Sequence, residues 1–133
     1  MKYIPLIGRI LFTLLFIMSG FGHIFNNSQM VAMAEQSGVP LASIAVPVTG
    51  IMILLGGLSI LLGYQVKIGS LLILIFLIPT SFIMHSFWSM TDPMMSQLNM
   101  VMFMKNMGLA GASLIFFYFG TGPLSLDQKQ KKL

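Results

Sequence analysis

Four apolar stretches dominate this chain: residues 5–25, 43–64, 68–88 and 101–119, none carrying more than one formal charge. A helix rises about 1.5 Å per residue, so about 20 apolar residues cross the hydrocarbon core of a bilayer. The strict alternation of a barrel strand is absent from all four. The expected fold is therefore all-α: a four-transmembrane-helix bundle in one domain over residues 1–133, ending in a polar tail over 120–133.

Composition agrees. Apolar types make up 56% of the 133 residues and charged types 8%, against about a quarter charged in an ordinary soluble domain. Seven basic and three acidic side chains cannot wet a globule of this size. The net charge of +4 does not point to nucleic acid, because the basic residues are scattered rather than gathered on a face. Without cysteine the chain has no disulfide, thiolate metal site or dithiol chemistry of its own. Lys2 and Arg9 ahead of an apolar run resemble a signal peptide, and Ala32-Met33-Ala34 a cleavage site. That site lies well past the apolar run and three more spans follow, so the first span reads as a retained helix.

The connections set the orientation. Residues 26–42 are polar, with room for a short interfacial helix before Gly38 and Pro40. Residues 65–67 make a tight turn, and residues 89–100 a second longer loop. Lys2, Arg9, Lys67, Lys129, Lys131 and Lys132 then fall on one side and Lys105 alone on the other. Short loops rich in Lys and Arg stay in the cytoplasm, so both termini are expected there and the two longer connections outside. Helix packing in lipid relies on small residues. Gly56, Gly57 and Gly63 in the second span, and Gly108, Gly111 and Ala112 in the fourth, suit that purpose. Pro47 and Pro79 fall within spans.

Polar groups inside spans are costly and point to function. His23 ends the first span, His85 and Trp88 end the third, and Lys105 and Asn106 open the fourth. Topology brings all five to the outward side. The functional reading is a pocket for a polar headgroup on an apolar tail, such as a quinone: imidazole exchanges protons near neutral pH and an ammonium stabilises a developing oxyanion. The plainer reading has solvated histidines, a snorkelling lysine and an aromatic belt. At the inward side, Arg9 and Asp127 are candidates for a structural ion pair that pins the tail. Eight of the 13 methionines fall between Met84 and Met107. Thioethers suit Cu(I), but methionine is also a common apolar filler, and no metal site is assigned.

Several short segments in fixed order resemble the DoxX family of small four-helix membrane proteins. They are Gly8-Arg9, Ser19-Gly20, Gly38-Val39-Pro40, Gly56-Gly57 with Leu62-Gly63, His85-Ser86, MFMKN over Met102–Asn106, and GTGPLSLD over Gly120–Asp127. Each is weak alone, while their order and spacing over nearly the whole chain are specific. Two positions depart from the family pattern. Ile53 stands where relatives often carry a glutamate before the paired glycines, and His23 stands where many carry lysine.

The resemblance implies a bacterial cytoplasmic (inner) membrane location. Some relatives are membrane subunits of thiosulfate:quinone oxidoreductase. The resemblance thus implies a subunit of a quinone-linked system, with quinone as candidate ligand, an oxidoreductase partner subunit supplying the redox cofactor, and a homo-oligomer as a further option. The alternative is a non-enzymatic scaffold or anchor for a redox or detoxification partner. No catalytic set is visible.

Overall fold

A computed structural model describes residues 1–130; Lys131 and Lys132, counted above for the topology, lie outside the described residues. The chain forms α1 (Ile4–Phe25), α2 (Asn27–Gln36), α3 (Ala42–Leu62) and α4 (Val66–Met84). A 3-10 turn over Phe87–Ser89 leads to α5 (Pro93–Phe119) and the short α6 (Leu126–Gln130). No strand occurs among the described residues. α1, α3, α4 and α5 are each long and apolar enough to cross a membrane. An even number of spans returns the two termini to the same end. That end is termed inward, following the charge bias; α2 and the 3-10 turn lie at the outward end.

The apolar pattern is sorted by neighbour. Phe12, Phe16, Ile53, Ile60, Val66, Ile73, Leu77 and Ala110 form the buried core, while Leu11, Leu14, Leu55, Ile75, Leu114 and Ile115 stay exposed. In water that surface would aggregate; in a bilayer it is the surface that lipid covers.

Adjacent glycines of α3 serve different partners, because successive helical residues point about 100° apart. A Cβ on Gly56 would lie 2.9 Å from the Gly69 carbonyl oxygen of α4. One on Gly57 would lie 3.1 Å from Ile17 Cγ1 of α1. The paired glycines therefore pack the bundle itself. Gly108 and Gly111 differ from expectation: both are exposed, and a Cβ on either would meet nothing within 4 Å. Only Ala112 of that trio packs against the core.

Two boundaries also depart from the sequence reading. The third span closes as a helix at Met84 rather than near Trp88, with the 3-10 turn carrying the chain onward. Most of the expected loop 89–100 is helix. Asp92 caps α5, its Oδ1 accepting from the backbone N–H groups of Met94 at 2.8 Å and Met95 at 3.0 Å, with Pro93 following directly. Asp then Pro is a strong helix start, since proline presets φ and lacks only an N–H that would be orphaned anyway.

At the inward end the expected Arg9–Asp127 pair is replaced by two separate contacts. Arg9 is fully buried and its Nη2 donates to the Leu124 carbonyl at 2.8 Å, while its Nε and Nη1 have no partner among the described residues. The Asp127 carboxylate instead accepts from the backbone N–H groups of Gln65 at 3.1 Å and Val66 at 3.5 Å. The Asp127 backbone N–H donates to the Gly63 carbonyl at 2.8 Å. A helix N-terminus carries partial positive charge and orphan donors, so it competes effectively for the carboxylate. The tail is thus pinned, as expected, but by backbone partners.

Candidate functional site

A partly open cavity of about 320 Å³ lies at the outward end, lined by α1, α3, α4 and α5 and roofed by α2. His23, His85, Lys105 and Asn106 all line it. Four of the five outward residues singled out from the sequence therefore meet. Trp88 does not line this cavity. It is 56% exposed and packs with Phe82, Phe87 and Phe103 in an aromatic cluster beside it, the arrangement of an interfacial anchor.

Glycine makes the space for His23. A Cβ on Gly50 would stand 2.6 Å from His23 Cβ, so α1 and α3 could not cross here with any larger residue. The imidazole leans edge-on to Phe76, with ring centroids 5.8 Å apart. Its Nδ1 lies 3.2 Å from the Val46 carbonyl and 3.2 Å from Thr49 Oγ1. One turn deeper on α3 is Ile53, completely buried in the apolar core. The position where relatives often carry glutamate is therefore a dry packing position in this chain.

His85 stands at the C-terminal end of α4, half-buried, with Nδ1 3.0 Å from Asn99 Oδ1. Asn99 belongs to the first turns of α5, the segment expected to be loop. Ser96, one turn before it, donates to the Phe87 carbonyl at 2.9 Å and ties the 3-10 turn down. The early start of α5 thus positions His85.

Asn106 is 7% exposed, yet its carboxamide meets no hydrogen-bonding partner among the described residues. The fully enclosed side-chain atoms without a partner among the described residues are Arg9 Nε and Nη1 and Ser70 Oγ, so the Asn106 amide is not sealed in the core but open to the cavity. Lys105, next to it, is exposed at the rim, with Nζ 3.5 Å from Met102 Sδ.

The cavity flanks a seam. α1 and α5 make little close backbone contact and touch through Phe12 and Phe116, whose ring centroids are 5.0 Å apart. Outward of that contact, Leu15 and Ser19 from α1 face the cavity from one side and Lys105 and Asn106 from the other. Sequence reasoning missed Ser19, Thr49, Thr80 and Asn99, and the roof made by Met30 and Met33 of α2. Ser19 stands one turn before His23, so helical spacing from that candidate was the available signal.

A four-helix bundle of spans with a largely apolar outward cavity is the architecture of a small integral membrane protein. The DoxX family model matches residues 4–86, and the chain belongs to the DoxX family. It is 31% identical to the Escherichia coli (strain K12) inner membrane protein YphA over 124 residues, covering 93% of this chain and 88% of YphA. To the inner membrane protein YqjF of the same organism it is 32% identical over 127 residues, covering 96% and 92%. No solved structure gives a significant match. The chain is a multi-pass protein of the inner membrane.

Proposed function

We propose that this protein is a membrane subunit of a quinone-linked oxidoreductase system and that the outward cavity holds the quinone headgroup. The observation that carries this reading is the Asn106 carboxamide: on a residue 7% exposed, without a hydrogen bond among the described residues, and part of the lining of a cavity that His23 and His85 also line. A free amide on a cavity wall offers a ligand both donors and an acceptor. The seam between α1 and α5 lets an apolar tail remain in lipid while the head enters. A cavity of about 320 Å³ is at the small end for ligand sites, which run from about 300 to 1,000 Å³ and suit one ring rather than a whole cofactor. Electrons come from a partner subunit, in keeping with the absence of a flavin, haem or iron–sulfur motif in the sequence.

The test is mass spectrometry of lipids retained by protein purified in mild detergent. Wild type retains near-stoichiometric quinone and Asn106→Leu loses it. The variant keeps its thermal stability, because no hydrogen bond within the described residues is lost. Equal retention by both proteins, or none by wild type, overturns the reading.

A scaffold is the second reading, favoured by the bare face of α5 at Gly108 and Gly111. Here one polypeptide co-purifies with wild type and Asn106→Leu alike, and is lost when Gly108 and Gly111 are both replaced by leucine.

A further inference from the structure

The two cavity histidines present the same chemistry. At His23, the Thr49 hydroxyl donates its proton to the Val46 carbonyl at 2.9 Å. Thr49 Oγ1 therefore offers Nδ1 only lone pairs, and so does the Val46 oxygen. At His85, Asn99 Nδ2 donates to the Met95 carbonyl at 3.0 Å. That fixes the amide so that Oδ1, an acceptor, faces the ring. The Val46 oxygen at 3.2 Å and Asn99 Oδ1 at 3.0 Å are acceptors, so the geometry favours a proton on Nδ1 of each ring. A neutral imidazole with its proton on Nδ1 has a bare lone pair on Nε2, and neither Nε2 has a partner among the described residues. No group of three or more His, Cys, Asp or Glu able to hold a metal ion occurs among those residues.

We propose that the outward cavity selects the reduced, hydroxyl-bearing form of a lipid-soluble quinone, the quinol, over the oxidised carbonyl form. This inference rests on the quinone reading above. A quinol hydroxyl donates to a bare Nε2. A quinone carbonyl brings a second acceptor against it, and two facing acceptors leave both desolvated and unmet. The remaining cavity groups discriminate little: the Asn106 amide and the Ser19 and Thr80 hydroxyls all donate and accept. Lys105 only donates, but it sits exposed at the rim. The choice between redox forms therefore falls to His23 and His85, whose donors are already spent on the protein.

The experiment uses the full chain in lipid nanodiscs under anaerobic conditions, near neutral pH. A benzoquinone with a decyl tail and its dithionite-reduced quinol are titrated in parallel. The quinol binds about tenfold tighter or more, the ratio expected when one acceptor–acceptor clash is avoided. Asn99→Leu removes the acceptor that holds the His85 Nδ1 proton, frees the Nε2–H tautomer as a donor, and moves the ratio toward the quinone. Nitrogen-15 NMR of the ligand-free protein shows the proton on Nδ1 of both rings. Equal affinity for the two forms, tighter quinone, or a proton on Nε2 in either ring overturns the selection while leaving quinone binding intact. Binding of neither form, with the tautomers as stated, overturns the quinone reading itself.

Discussion

Asp127 and Gln65 are 62 residues apart in sequence, yet the Asp127 carboxylate accepts the Gln65 backbone N–H at 3.1 Å and so caps α4 from the far end of the chain. The same residue binds the Gly63 carbonyl through its own N–H. One side chain and one peptide group thus fasten the tail to the turn between α3 and α4.

Removing that cap should loosen the inward end. Asp127→Ala is expected to lower stability by about 1 kcal/mol, and Asp127→Asn by less, since asparagine also caps. Thermal unfolding in detergent ranks the two, and an unchanged melting temperature for Asp127→Ala would show that the cap is idle.

Because Arg9 and Asp127 have different partners, their losses should add. Arg9→Met removes one hydrogen bond to Leu124 together with two donor atoms of a buried cation that have no partner among the described residues. Combined with Asp127→Asn it is expected to show a coupling of about 0.5 kcal/mol or less. A double-mutant cycle giving several times that value would restore the direct ion pair. Replacing a buried charge by an apolar side chain is often tolerated, so Arg9→Met is expected to remain folded.

Glycines of the two kinds should behave oppositely. Gly56→Ala forces a methyl group against the Gly69 carbonyl and Ile73, both 2.9 Å from its position, at a cost of about 1–3 kcal/mol. Gly111→Ala meets nothing within 4 Å and is expected to stay within about 0.5 kcal/mol of wild type. Urea or thermal titration of the purified variants compares them. A large loss at Gly111 would reveal a partner surface on α5.

Topology can be read directly, since the chain has no cysteine of its own. A single cysteine at Ser37 should react with an impermeant maleimide added to intact spheroplasts, and one at Gln65 only after permeabilisation. The reverse pattern would invert the orientation drawn from the lysines.

How much was legible depends on how local the cause is. Span number and rough limits follow from apolar run lengths, and α2 from the polar stretch before Gly38 and Pro40. The start of α5 at Pro93 was also written locally, in Asp92-Pro93, but a polar run interrupted by methionines read as loop. The convergence of His23, His85, Lys105 and Asn106 followed from topology, because four alternating spans fix which ends share a membrane depth. Trp88 shares that depth and still faces away from the cavity, since depth carries no information about rotation around a helix axis.

The sequence by itself determined the class: apolar runs long enough to cross lipid, small residues for close packing, and lysines biased to one side. These properties belong to single segments and need no knowledge of neighbours. Tertiary structure alone decided which glycines touch another helix, that Asp127 meets an N-terminus rather than Arg9, and that Asn106 is buried without a partner among the described residues. It also decided which nitrogen of each histidine faces the protein. Each of these depends on distances of about 3 Å between residues far apart in the chain, and helix rotation and crossing angle set such distances only when the whole bundle packs.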